Sequence, residues 1–194
     1  VSLFNAIDYT PVKQVSPSPK QSIKVKGKPH LFVGRANQKL TEIIGEIKQD
    51  HTQAFWSDGD WSAHDMLFYL LNITGPAQVY FSTWAISEYA IRQLYTMIRQ
   101  GHILELHGIF DYRNGVRKPA ELQFLKQITT DIKPAKCHAK VVSIVNDTWG
   151  ITIIGSMNFT RNPRLEAGTL FTWRHLAEEM RDLIMRVLKD QNNW

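Results

Sequence analysis

Five side chains in the stretch Cys137 to Leu170, CHAKVVSIVNDTWGITIIGSMNFTRNPRLEAGTL, have the types and spacing to handle a phosphodiester. His138 and Lys140 are two apart. Successive side chains on a strand point to opposite faces, so these two share a face. An imidazole and an ammonium placed that way can hold one anionic group. Ser156 and Asn158 repeat the spacing behind Gly155 and offer hydroxyl and amide donors to phosphate oxygens. Gly155 lets the backbone approach a ligand closely. Glu166 can accept a hydrogen bond from a histidine and fix its tautomer. Cys137 is next to His138, but strand neighbours point apart, so it reads as a small packed residue rather than half of a thiol–imidazole pair.

The elements that must position these residues follow from the same stretch. Ala139 to Val145 is apolar and rich in β-branched residues, as an interior strand is. Asn146 to Gly150 is a turn cluster, and Ile151 to Ile154 returns as a second strand, which makes a hairpin. Upstream, Gln78 to Ser82 reads as a central strand, 86–100 as a helix closed by Gly101, and 103–110 as the next strand. That order implies a right-handed crossover and a parallel pair. Ser62 and Asp65 have the spacing of a capping box opening a helix striped by Met66, Leu67, Leu70 and Leu71; His64 on it is expected to be exposed. An earlier helix runs from Ala36 with Leu40, Ile43, Ile44 and Ile47 on one face. Residues 51–60 and 111–118 read as loops. Pro119 opens a helix reaching about Thr130. Residues 167–173 form a last strand and 174–190 a last helix, whose buried stripe is Leu176, Met180, Leu183, Ile184, Val187 and Leu188. The expected class is α/β, with a mixed, largely parallel central sheet flanked by helices on both faces.

Taken together, His138, Lys140, Gly155, Ser156 and Asn158 resemble the signature of the phospholipase D superfamily, His-x-Lys-x4-Asp followed by Gly-Ser/Thr-x-Asn. Phe159, Thr160 and Glu166 resemble the stretch that follows it in the family's small bacterial nucleases. Two departures stand out: Val145 occupies the place of the Asp, and the interval from Lys140 to Gly155 is about three residues longer than the family pattern. The resemblance is dense over residues 130–175 and extends by element order from about residue 77 to the end.

It implies a metal-independent phosphodiesterase that needs no cofactor. One histidine attacks phosphorus to form a phosphohistidine, and a second protonates the leaving oxygen. The chain carries one copy of the motif, so the resemblance implies a homodimer that builds one site from two chains. His138, Lys140 and Glu166 are then the catalytic set, and Ser156 and Asn158 bind the substrate phosphate. One-copy members are mostly nucleases, so the implied substrate is nucleic acid, DNA ahead of RNA. The alternative is a catalytically weak or inactive module of the same fold that binds nucleic acid or a protein partner. A lipid head-group hydrolase would need an exposed apolar rim at the site, which the sequence does not display.

Composition agrees with a globular chain and a polyanionic partner. The 194 residues carry 23 Lys and Arg against 18 Asp and Glu, a formal charge of +5. One cysteine excludes an intrachain disulfide framework, and no Cys/His spacing suggests a metal site. No run is long and apolar enough to span a bilayer and no signal peptide is visible, so a cytoplasmic protein without membrane contact is expected. Residues 1–30, with Pro11, Pro17, Pro19 and Pro29 among Lys13, Lys20, Lys24, Lys26 and Lys28, read as a basic leader that includes a short strand near Ile23. Residues 31–194 read as the folded domain. The family resemblance further implies that Lys133 and Lys136 lie near the mouth of the site.

Overall fold

The computed structural model describes residues 22–24, 29–33, 40–161 and 163–190. Among them, nine strands form one sheet: β1 (Ser22–Lys24), β2 (Pro29–Val33), β3 (Thr52–Ser57), β4 (Ala77–Thr83), β5 (Ile103–Asp111), β6 (Asp131–Ala135), β7 (Val141–Val145), β8 (Gly150–Gly155) and β9 (Glu166–Phe171). Their order across the sheet is β1-β2-β3-β9-β8-β7-β4-β5-β6. The helices are α1 (Leu40–Ile43), α2 (Ala63–Thr74), α3 (Glu88–Arg99), α4 (Tyr112–Arg117), α5 (Pro119–Ile128) and α6 (Arg174–Lys189).

Period-two alternation puts a separate core on each face of the sheet. Val79 and Phe81 of β4 pack with Met66, Leu67, Leu70 and Leu71 of α2 and with Leu94 of α3. Tyr80, between them in sequence, turns to the other face and meets Ile109, Ala135 and Ile184 of α6. Helices therefore flank both faces, and the α/β mixed sheet is as expected. Its parallel part is narrower than expected. β4, β5 and β6 run parallel, as do β2 and β3, while the other five pairings are antiparallel. The physical reason is connection length: β7 and β8 are joined by a tight turn, which permits only an antiparallel pair.

The capping box forms as read: the Ser62 N–H donates to Asp65 Oδ2 at 2.9 Å. His64 is not exposed, however. Its ring is 1% exposed, lies 2.7 Å by Nδ1 from Ser62 Oγ, and meets the edge of Tyr89 at 5.5 Å. The first helix is a single turn in the described residues, because Gly45 at φ +64° takes the chain out of helical geometry. Ile44 and Ile47 are still buried. Residues 52–57 are a strand rather than a loop, held between β2 and β9. Tertiary pairing decides this segment, whose polar residues hide its β pattern. Residues 112–117 are a short helix rather than a loop. On α6, Leu183 is 44% exposed, so the predicted buried stripe is only partly covered. The leader lies outside the described residues apart from β1 and the start of β2, which pair with each other and, through β3, join the sheet.

Candidate active site

The motif residues converge at one edge of the sheet, beyond the carboxyl ends of the parallel strands β4 and β5. Open α/β sheets usually bind ligands at that edge. Val141 at the start of β7 pairs with Ile154 near the end of β8, and the Gly155 N–H donates to the Lys140 carbonyl at 3.2 Å. The hairpin thus brings Lys140 level with Gly155. Pairing of β8 with β9 then brings Glu166 alongside. His138 and Lys140 precede β7 rather than lying within it, yet they do share a face. Lys140 Nζ is 3.2 Å from His138 Nδ1 and 3.4 Å from Nε2, and it donates to the His138 carbonyl at 2.7 Å.

These groups line an open cleft of about 660 Å³ whose walls include Trp84, His138, Lys140, Ser156, Asn158 and Glu166. Arg164 and Leu165 border it too. The Lys140 ammonium is held below the ordinary lysine range, chiefly by burial, with Cys137 and Glu166 pulling the other way. Burial pushes the Cys137 thiol up, which leaves it protonated and poorly nucleophilic.

Asn158 is fixed by the backbone. Its Oδ1 accepts from Thr83 Oγ1, the Trp84 N–H and the Ala85 N–H, each at 3.2 Å. Two of those donors are amides that cannot accept, so the oxygen must point at them and the NH₂ is directed away. Ser156 differs from expectation. Its hydroxyl donates to Glu166 Oε2 and accepts from the Ala167 N–H at 3.0 Å, so it ties β8 to β9 instead of presenting a free donor. Glu166 correspondingly engages Ser156 and not a histidine. Gly155 does not make room for a ligand: a Cβ there would come within 2.6 Å of the Ala167 carbonyl, so its bareness serves the packing of β9.

Val145, where the resemblance expects an Asp, does not line the cleft. It lies at the far end of β7 from the cleft, buried and paired with Gly150. The neighbouring Asn146 organises the turn. Its Nδ2 donates to the carbonyls of Thr74 and Pro76, and its Oδ1 accepts from the Thr148 and Trp149 amides. Arg174 of α6 clamps the Asn146 and Asp147 carbonyls at 2.6 and 2.7 Å. The longer hairpin is accommodated there, away from the site.

Lys133 is not at the mouth. Its Nζ donates to the Val187 and Asp190 carbonyls at the C-terminal end of α6, where a cation offsets the helix dipole. Lys136 does lie beside His138, on a second, mostly apolar groove of about 300 Å³ that includes Ile109, Met180, Leu183 and Val187.

Sequence reasoning missed two residues. Trp84, at the end of β4, approaches His138 with ring centroids 5.9 Å apart. Asp111, at the end of β5, is a buried carboxylate gripped by Arg113 Nε at 2.7 Å, which depresses its pKa, and it also accepts the Cys137 N–H. It therefore holds the backbone one residue before His138. Its signal in the sequence was an acid closing an apolar strand, two residues before an arginine. Among the described residues, no three His, Cys, Asp or Glu side chains are grouped to hold a metal ion, and no helix is long and apolar enough to cross a membrane.

Comparison with solved structures bears on the fold. The chain is similar to Nuc, a phospholipase D family member from Salmonella typhimurium, with a TM-score of 0.55 and 15% identity over 70% of this chain and 91% of that one. The fold is phospholipase D-like. Polyphosphate kinase from Porphyromonas gingivalis shares it at a TM-score of 0.50 and 16% identity, over 71% of this chain but only 26% of the kinase. No family model and no curated protein sequence matches the chain.

Proposed function

We propose that this protein is a metal-independent phosphodiesterase acting on nucleic acid, DNA ahead of RNA, as a homodimer with a shared site. The observation that carries this is the His138–Lys140 pair, its nitrogens within 3.4 Å, on the wall of an open cleft that also contains the anchored amide of Asn158. In the first step a His138 nitrogen attacks phosphorus. The N–P bond forms as the P–O bond to the leaving group breaks, and His138 of the second copy gives its proton to the departing oxygen. In the second step water attacks phosphorus, the N–P bond breaks, and the second histidine takes the water's proton. Lys140 and the Asn158 amide stabilise the charge that builds on the non-bridging oxygens. Glu166 acts through Ser156, holding the wall on which the phosphate rests.

A second histidine is needed for the leaving oxygen, and among the described residues His138 is the one histidine lining the cleft of a single chain. The apolar groove beside His138, with Leu183 exposed at its rim, is a surface that a second copy can cover. The same groove is also the apolar rim a lipid substrate would use, so phosphatidylcholine vesicles are the control substrate. The expected result is EDTA-resistant cleavage of DNA that His138→Ala abolishes, with no release of choline. Cleavage that persists in His138→Ala overturns the reading, and choline release in place of nuclease activity replaces the substrate.

A further inference from the structure

We propose that Trp84 is a stacking platform for an unpaired base, so that the strand entering the cleft is single-stranded or locally opened. This rests on the nucleic-acid reading above and narrows it to a substrate form. Trp84 is half-buried and lines the same cleft as the phosphate-holding pair. Its ring is tilted by 53° against His138, so it neither covers the imidazole nor stacks flat on it. The Trp84 backbone N–H donates to Asn158 Oδ1, which fixes the Trp84 main chain beside a side chain that lines the same cleft. A nucleotide whose phosphate sits between His138, Lys140 and Asn158 brings its own base, or the next one, against that ring.

The rest of the wall suits the same strand. Arg164 is exposed on the cleft and can take a flanking phosphate, while Leu165, 65% exposed, gives an apolar surface for a second base. An aromatic face beside a cationic track is how proteins hold single strands with little sequence preference. In a duplex both faces of each base are already covered by its neighbours. A stacking wall beside the scissile phosphate therefore gains nothing from paired DNA.

The test is a binding cycle, read by fluorescence anisotropy in a His138→Asn background so that the probe stays intact. One probe is oligo(dT). The other is an oligomer of the same length and charge built from abasic tetrahydrofuran phosphodiester units. Trp84→Ala should weaken oligo(dT) binding about tenfold, leave the abasic oligomer within twofold, and be rescued by Trp84→Phe. Equal weakening of both probes would mean the indole only shapes the phosphate site, and no weakening of oligo(dT) would mean it contacts no base. Either overturns the stacking role while leaving the nuclease reading intact. If the His138→Asn parent binds neither probe, the nucleic-acid reading fails along with it.

Discussion

Asn158 separates two jobs that one substitution can pull apart. Its oxygen satisfies three donors at the end of β4, and the proposed function assigns its nitrogen to the substrate phosphate in the cleft that Asn158 lines. In Asn158→Ala, the Trp84 and Ala85 amides lose their acceptor. Each unsatisfied, partly buried donor costs about 1–3 kcal/mol. Partial exposure favours the lower half of that range, so the pair costs about 2–4 kcal/mol. For a chain of this size that lowers Tm by roughly 4–16 °C. Asn158→Asp keeps an acceptor for the same amides, so its Tm at pH 7 should stay near wild type. It also replaces the NH₂ with a carboxylate oxygen that repels phosphate, so binding and turnover should be lost. Calorimetry, together with titration of inorganic phosphate, reads both effects. The reasoning is refuted if Asn158→Ala is as stable as wild type, or if Asn158→Asp binds phosphate normally.

Two further perturbations test the electrostatics. Arg113 depresses the Asp111 pKa, so the folded carboxylate binds its proton more weakly than the unfolded one. The pair therefore stabilises the fold above the ordinary carboxylate value of 3.8, and that stability disappears as pH falls through the folded pKa. Asp111→Asn should have a lower Tm than wild type at pH 7, with the two curves converging in acid; parallel curves would show that the pair contributes nothing. Lys140 sits below the ordinary lysine value of 10.5 because it is partly desolvated. Phosphate affinity should therefore begin to fall at a lower alkaline pH than for a free lysine. Lys140→Arg keeps its charge across that range and should flatten the pH profile, as isothermal titration between pH 8 and 10.5 would record.

Much of the site was legible because its residues are local in sequence. Two motif halves on either side of a hairpin must meet when the hairpin closes, and Lys140 and Gly155 are directly hydrogen-bonded. The central β4–α3–β5 crossover was legible from periodicity and the Gly101 cap. What escaped depends on distant partners. Strand β3 exists because β9 pairs along its whole length, which no window around Thr52 reveals. His64 is buried because Tyr89 of another helix covers it. By residue type Ser156 reads as a donor to phosphate and Glu166 as the partner of a histidine, but β9 packs so closely on Gly155 that the two bond one another. Asp111 and Trp84 reach the site from the ends of two earlier strands, and sheet order alone brings them to the hairpin.

The claim with most resting on it is that two copies of His138 serve one phosphate. Wild-type and His138→Ala chains, distinguished by tags and co-expressed in varied ratio, give populations of mixed dimers. If both imidazoles are needed at one site, EDTA-resistant nuclease activity per chain should follow the square of the wild-type fraction. Activity that rises in direct proportion to that fraction would mean each chain works alone, and the shared site would be wrong.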